Sequence, residues 1–180
     1  EFRRVLFRSP VIPMVLVNGA LGIGTGFSTN IPCYNPKDII GVIRQIMKGD
    51  NVDNVEIKPW YRGFNGFIEK SGDKYVSRGT FTKVTATKVD ITELPIGMWI
   101  QDFKEFLEEY MDKHPEIKNY ESHYTDKEIR FSIIFNTTAS CDDYLRRESN
   151  GYTKLENEFK LVSSKLLGTS NMYLFNSKCQ

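Results

Sequence analysis

Net charge is almost absent from this sequence. Its 24 Lys and Arg against 23 Asp and Glu leave a formal +1, so no global basic field announces a nucleic-acid partner and any such contact falls to local patches. Cysteine is scarce as well. Cys33, Cys141 and Cys179 lie far apart with no CxxC pair, and neither His114 nor His123 has a cysteine at metal-ligand spacing, so no structural zinc site is expected. An odd, sparse cysteine count fits a reducing compartment better than a disulfide framework. No stretch approaches the ~20 apolar residues of a transmembrane helix, and no membrane partner is expected. Repeats and low-complexity segments are missing too.

What is present is ordinary globular composition, 40% hydrophobic and 26% charged over 180 residues. That suffices for one compact domain or two small ones sharing a core. The opening "EFRRVLFRS" (1–9) shares no pattern with the residues after it and lacks the apolar core of a signal peptide. It reads as a non-native, adaptor-derived segment, with a native basic arm as the alternative. The abrupt close, "SNMYLFNSKCQ", suggests a piece of something longer.

Along the chain, "VIPMVLV" (11–17) is a short apolar run that suits a buried strand or extended segment. A glycine-rich loop comes next, and then a helix: Asn35 caps it, Pro36 suits its first turn, and Ile39, Ile40, Ile43, Ile46 and Met47 recur at helical spacing. Gly49 is placed to end it. After a polar link (50–58) the sequence is β-rich to about Leu94, with Val89 and Ile91 alternating against Lys88, Asp90 and Thr92. A second helix is expected from about Met98 to Asp112. Its apolar face carries Trp99, Ile100, Phe103, Phe106, Leu107, Tyr110 and Met111, and Glu105, Glu108 and Glu109 lie opposite. Residues 115–126 read as loop, 128–135 as an alternating strand, 138–147 as a short helix, and 159–175 as strand with a polar turn. The class is α+β.

The glycine run "NGALGIGTGFSTNIPCYNP" (18–36) invites a phosphate reading, which its spacing does not support. A P-loop needs GxxxxGK[ST], and Phe27 and Ser28 follow Gly26 where lysine should stand. A dinucleotide fingerprint needs GxGxxG between strand and helix, and Gly22, Gly24 and Gly26 come too close together. The plain alternative is that the glycines permit a tight backbone path. The three glutamates of the second helix read as a solvated face rather than a magnesium site. Trp60 and Trp99 read as core anchors.

Four segments carry a family resemblance: "IPMVLVNGALGIGTGFSTNIPCYNP" (12–36), "WYRGFNGFIE" (60–69), "ITELPIGMWIQDFKEFL" (91–107) and "FKL…NMYLF" (159–175). In this order they resemble one region of the type II DNA topoisomerases of eukaryotes and large DNA viruses. The resemblance implies a tower-like mixed sheet with packed amphipathic helices, preceded by the tail of a winged-helix domain. Residues 10–36 would end the winged-helix part and 37–180 would form the tower domain, truncated at its C-terminal side. It also implies an ATP-dependent enzyme that passes one duplex through a break in another, with ATP and Mg2+ bound outside this segment. Its nucleophilic tyrosine would lie upstream, because Tyr34, Tyr61 and Tyr75 do not match that motif. The segment alone should therefore be inactive.

Carried over by the same resemblance, Ile31 would wedge between base pairs and kink the gate duplex, with Pro32 fixing the backbone behind it. Without the resemblance Ile31 reads as a core residue. A second DNA-contacting stretch maps onto Lys160 to Asn171: Lys160 and Lys165 would meet phosphates, and Ser163, Ser164, Thr169 and Ser170 would be neutral donors. A solvated hairpin turn is the other reading of that stretch. Double-stranded DNA is the implied partner, a homodimer the implied full-length state, and the nucleus, or host cytoplasm or virion for a virus, the implied location. Phe27 stands where cellular relatives tend to carry tryptophan, and Gly97-Met98 replaces a more polar pair. A stand-alone DNA-bending module without catalysis is the nearest alternative, and a nucleotide-binding domain a third.

Overall fold

The computed structural model describes residues 10–72, 74–125 and 128–174, and the expectation for 1–9 lies outside them. It is an α+β protein. The elements in order are helix α1 (Met14–Asn18), strands β1 (Ala20–Gly24) and β2 (Phe27–Ile31), helix α2 (Pro36–Lys48), and strands β3 (Phe67–Ser71), β4 (Lys74–Arg78), β5 (Thr80–Lys83) and β6 (Lys88–Glu93). Helix α3 (Ile100–Lys113), strands β7 (Ile117–Tyr124) and β8 (Ile129–Phe135), helices α4 (Thr138–Tyr144) and α5 (Lys154–Glu158) and strand β9 (Val162–Ser163) complete it. The chain divides into two compact units. Among the described residues, the first comprises 10–62, 72, 74–75 and 166–174, and the second 63–71, 76–125 and 128–165.

The second unit holds the larger core. Its four-stranded sheet has the order β5-β6-β8-β7, with every pairing antiparallel. Val89, Ile91, Phe131, Ile133 and Phe135 are buried with Phe103, Leu107 and Tyr110 of α3. Phe103 meets Phe131 edge-on, with ring centroids 5.0 Å apart. Each such side chain contributes about 1.5–3 kcal/mol by leaving water. Below this layer Tyr110 and Tyr144 share a hydroxyl–hydroxyl bond of 2.9 Å, and Tyr144 donates to Glu116 at 2.8 Å.

Helix α5 is fixed by a capping box. The Thr153 side chain accepts from the Glu156 amide, while the Glu156 carboxylate takes the Thr153 amide at 2.8 Å. Glu156 is 2% exposed, and the Arg78 guanidinium donates to it at 2.7 Å. Burial alone would raise this carboxyl, but the Thr153 amide and Arg78 outweigh it and hold it below the ordinary range.

Helix α2 follows its sequence signals. Asn35 accepts from the Lys37 amide, Pro36 opens the helix, and Gly49 closes it in the left-handed region. Four expectations need correction. Residues 14–18 form a short helix with no buried residue instead of a buried strand, because a brief apolar run carries no period of its own. Residues 117–124 form edge strand β7 instead of loop; an edge strand tolerates polar residues on both faces, which hides the alternation. Residues 154–158 are helical, and strand structure near 159–175 shrinks to Val162–Ser163 among the described residues. Trp99, at the N-cap of α3, is 73% exposed and Trp60 is 38% exposed, instead of anchoring the core.

Candidate functional site

The glycine run is a two-stranded ribbon. β1 and β2 pair antiparallel in the register Ala20↔Ile31, Leu21↔Asn30, Gly22↔Thr29, Ile23↔Ser28 and Gly24↔Phe27. Thr25-Gly26 makes the turn, and Gly26 takes φ +81, a conformation only glycine adopts without strain. At the base of the ribbon Gly19 has φ +69, and a Cβ there would sit 2.7 Å from the Ile31 carbonyl oxygen. The glycines thus serve a tight strand pair.

Because side chains alternate along a strand, Phe27, Thr29 and Ile31 share one face, and the residues opposite them are Gly24, Gly22 and Ala20. That face is bare backbone on the β1 side. Leu21 and Ile23 point the other way and stand 67% and 87% exposed. The exposure profile along β2 is steep: Phe27 is 84% exposed and Ile31 only 2%.

Ile31 therefore does not project into solvent, as a free wedge would. It lines a shallow cavity of about 240 Å³ with Gly19, Ala20, Cys33, Tyr61 and Leu166. Pro32 behind it is buried too. The Tyr61 hydroxyl donates to the Leu166 carbonyl at 3.0 Å, and Leu166 itself has φ +62, uncommon for a residue with a side chain. Burial pushes the Cys33 thiol and the hydroxyls of Tyr34 and Tyr61 up, and Tyr75 rises to about 12 through burial and its bond to Glu56. That is opposite to the shift an activated nucleophile needs.

The outer edge of β2 is covered by the chain after Ser170. The Asn30 amide donates to the Asn171 carbonyl at 2.8 Å. Thr29 Oγ1 donates to the Tyr173 carbonyl at 2.9 Å and accepts from the Tyr173 amide at 3.0 Å. Asn171 Nδ2 donates to Ser28 Oγ at 2.9 Å. Of the residues singled out in the sequence, Ile31, Pro32, Thr169 and Ser170 fall in this first unit, with Ser170 next to the residue that bonds β2.

Lys160, Ser163, Ser164 and Lys165 belong to the second unit. Lys160 follows the C-cap of α5 with φ +52, and its ammonium lies 4.2 Å from the Phe106 ring centroid. Lys165 Nζ donates to the Gly97 carbonyl at 3.1 Å, while Ser163 Oγ accepts from the Lys165 amide. Ser164 and Lys165 are exposed. The glutamates of α3 do not converge: Glu105 accepts from Gln101 and Glu108 from Tyr120. Among the described residues no group of three or more His, Cys, Asp or Glu could hold a metal ion, and no helix is long and apolar enough to cross a membrane.

Comparison with known proteins decides the family. The family model for the A-type subunit of DNA gyrase/topoisomerase IV matches residues 6–178. The chain belongs to the type II DNA topoisomerases. Within them it is 39% identical to DNA topoisomerase 2 of Arabidopsis thaliana over 94% of its length and 42% identical to that of Candida albicans over 93%. It spans 11% of each of those relatives. A crystal structure of the Plasmodium falciparum topoisomerase II DNA-binding, cleavage and re-ligation domain superposes with a TM-score of 0.83 at 41% identity, over 95% of this chain and 22% of that one. The α+β fold described above is thus the fold of part of a topoisomerase II cleavage domain.

Proposed function

We propose that this chain is the part of an ATP-dependent type II DNA topoisomerase that grips and bends the gate duplex during strand passage. The observation that supports it best is the sewing of Asn171 and Tyr173 onto β2. It gathers the Ile31-Pro32 pair and the Thr169-Ser170 pair, two stretches separately expected to touch DNA, onto one small unit. Residues 10–36 are then the end of the winged-helix region, and 37–180 belong to the tower domain.

In this reading Ile31 is the wedge and Pro32 its support. Since Ile31 is 2% exposed, insertion requires the base of the ribbon to open. Exposing one such side chain costs about 1.5–3 kcal/mol, and unstacking a base step a few kcal/mol more. The extra surface that bent DNA touches offsets both. Lys160, Lys165, Ser163 and Ser164 hold DNA backbone, and their contacts position without reading sequence.

ATP and Mg2+ act in other parts of the full-length protein, as does the nucleophilic tyrosine. The full-length protein is a homodimer, nuclear in a cellular eukaryote. The isolated chain is inactive and binds duplex weakly with a shallow salt dependence, because few counterions are released.

The test is duplex bending by the full-length protein that carries this chain, read by end-to-end energy transfer. Ile31→Ala abolishes bending by the folded protein, and Pro32→Ala weakens it mildly. Normal bending by folded Ile31→Ala protein would remove the wedge from this reading, and plasmid relaxation by the pure isolated chain would refute the rest.

A further inference from the structure

We infer that Ser149 is a phosphorylation site for an arginine-directed serine kinase, a modification that does not depend on the bending role. The sequence supplies the first observation. Of all the Ser and Thr residues in the chain, only Ser149 has arginine at both the second and the third position before it, in Arg146-Arg147-Glu148-Ser149. Thr80 and Ser132 follow a single arginine by two positions. Both stand in strands, and Ser132 is 1% exposed. Guanidinium groups pair bidentately with carboxylates, so the two arginines before Ser149 suit a kinase cleft lined by acidic side chains.

The fold presents this segment to solvent. Residues 146–151 link α4 to α5, and every one of them is exposed. Among the described residues neither guanidinium has a hydrogen-bond or ion-pair partner, and the Ser149 hydroxyl has none. The acids nearby are already engaged: Asp142 with Lys83, Asp143 with Lys154, and Glu148 with the Asn157 amide group. Arg146 and Arg147 therefore keep their charge available for another molecule.

A kinase cleft takes its acceptor segment extended, and Ser149 sits in a turn. The Gly151 amide donates to the Glu148 carbonyl at 3.0 Å, and the Glu148 amide to the Tyr152 carbonyl at 2.7 Å. Asn150 Nδ2 donates to Asn157 Oδ1 at 3.1 Å. None of residues 146–151 carries an apolar side chain, so opening the turn breaks exposed hydrogen bonds and uncovers no core. Tyr144 and Leu155, buried on either side, hold α4 and α5 meanwhile. Openings of this kind lie at the low end of the range of local stabilities. In the transfer, Ser149 Oγ bonds to the γ-phosphorus of ATP and the bond from that phosphorus to the β-phosphate oxygen breaks. ADP leaves, and the hydroxyl proton passes to the catalytic carboxylate of the kinase. Two arginines and one glutamate give 146–149 a formal +1. The phosphate adds about −1.5 to −2 charges at pH 7 and makes the loop negative.

The experiment treats the folded full-length protein with ATP and the catalytic subunit of cyclic-AMP-dependent protein kinase, a probe that selects arginine at these two positions. Trypsin digestion and mass spectrometry should place a phosphate on Ser149 in the peptide 148–154. Arg146→Lys with Arg147→Lys, which keeps the charge and the cleavage sites, should slow that labelling roughly tenfold and leave other labelled peptides unchanged. Gly151→Ala should speed it, because Gly151 has φ +85 and a side chain there strains the closed turn. Labelling of Ser149 only after unfolding in urea, or none at all, would overturn the inference. Equal rates with and without the arginine pair would overturn it as well.

Discussion

The backbone amide of Asn30 and the carbonyl of Asn171 are joined at 2.8 Å, so the ribbon that carries Ile31 is a three-part structure whose third part comes from far along the chain. The Thr29 hydroxyl fastens this join beside the Asn171–Ser28 side-chain bond. Thr29→Val removes both its bonds to Tyr173, each worth roughly 0.5–1.5 kcal/mol. Hydrogen exchange of the Tyr173 and Asn30 amides should accelerate about tenfold, with helix α3 unaffected. Unchanged exchange at both amides would mean that backbone pairing alone holds the segment.

The basic residues of the second unit should act on affinity alone. Lys160→Gln with Lys165→Gln, in the full-length protein, should weaken duplex binding evenly across sequences. Each lysine that truly meets a phosphate lowers the log–log salt slope by about 0.9. An unaltered slope would show that the Lys160 contact with Phe106 and the Lys165 bond to Gly97 are purely structural.

Core truncation sets the scale for the other variants. Phe103→Ala should cost about 3–5 kcal/mol, read as a drop in denaturant midpoint at constant slope, because the ring is fully buried against Phe131. A loss below ~1 kcal/mol would mean that the sheet collapses onto the gap.

Acid sensitivity should centre on Glu156. Its folded carboxyl is held below the ordinary range, so it contributes stability at neutral pH that fades as pH falls through the ordinary and then the depressed value. Glu156→Gln should lower stability at pH 7 by roughly 1.5–3 kcal/mol and flatten its fall as pH drops through and below the ordinary carboxylate range. Parallel acid profiles for the two proteins would assign the sensitivity to other carboxylates.

The sequence is most legible where one local signal suffices. Asn35, Pro36 and Gly49 bound α2 as their chemistry demands, and the spacing of Phe103, Phe106, Leu107 and Tyr110 marks α3 within two residues at its start. Thr153 and Glu156 carry the capping-box signal for α5, but the apolar "FKL" after it pulls the reading toward strand. Strand β7 is illegible because its partner β8 supplies the buried residues and β7 needs few. At the ribbon, the glycines that permit its tight backbone path are legible, but the burial of Ile31 is not. That Ile31 shares a cavity with Leu166 and Tyr61 depends on residues far apart in the chain, and no local pattern encodes such a meeting.

The discontinuity of the first unit has a consequence for biosynthesis. Thr29 and Asn171 stand 142 positions apart, so translation at ~5–20 residues per second exposes the outer edge of β2 for roughly 7–28 s before its partner emerges. An unpaired edge without charge is a template for mispairing. The ribbon is therefore a segment of the nascent polypeptide that gains from a chaperone's cover until Asn171 emerges.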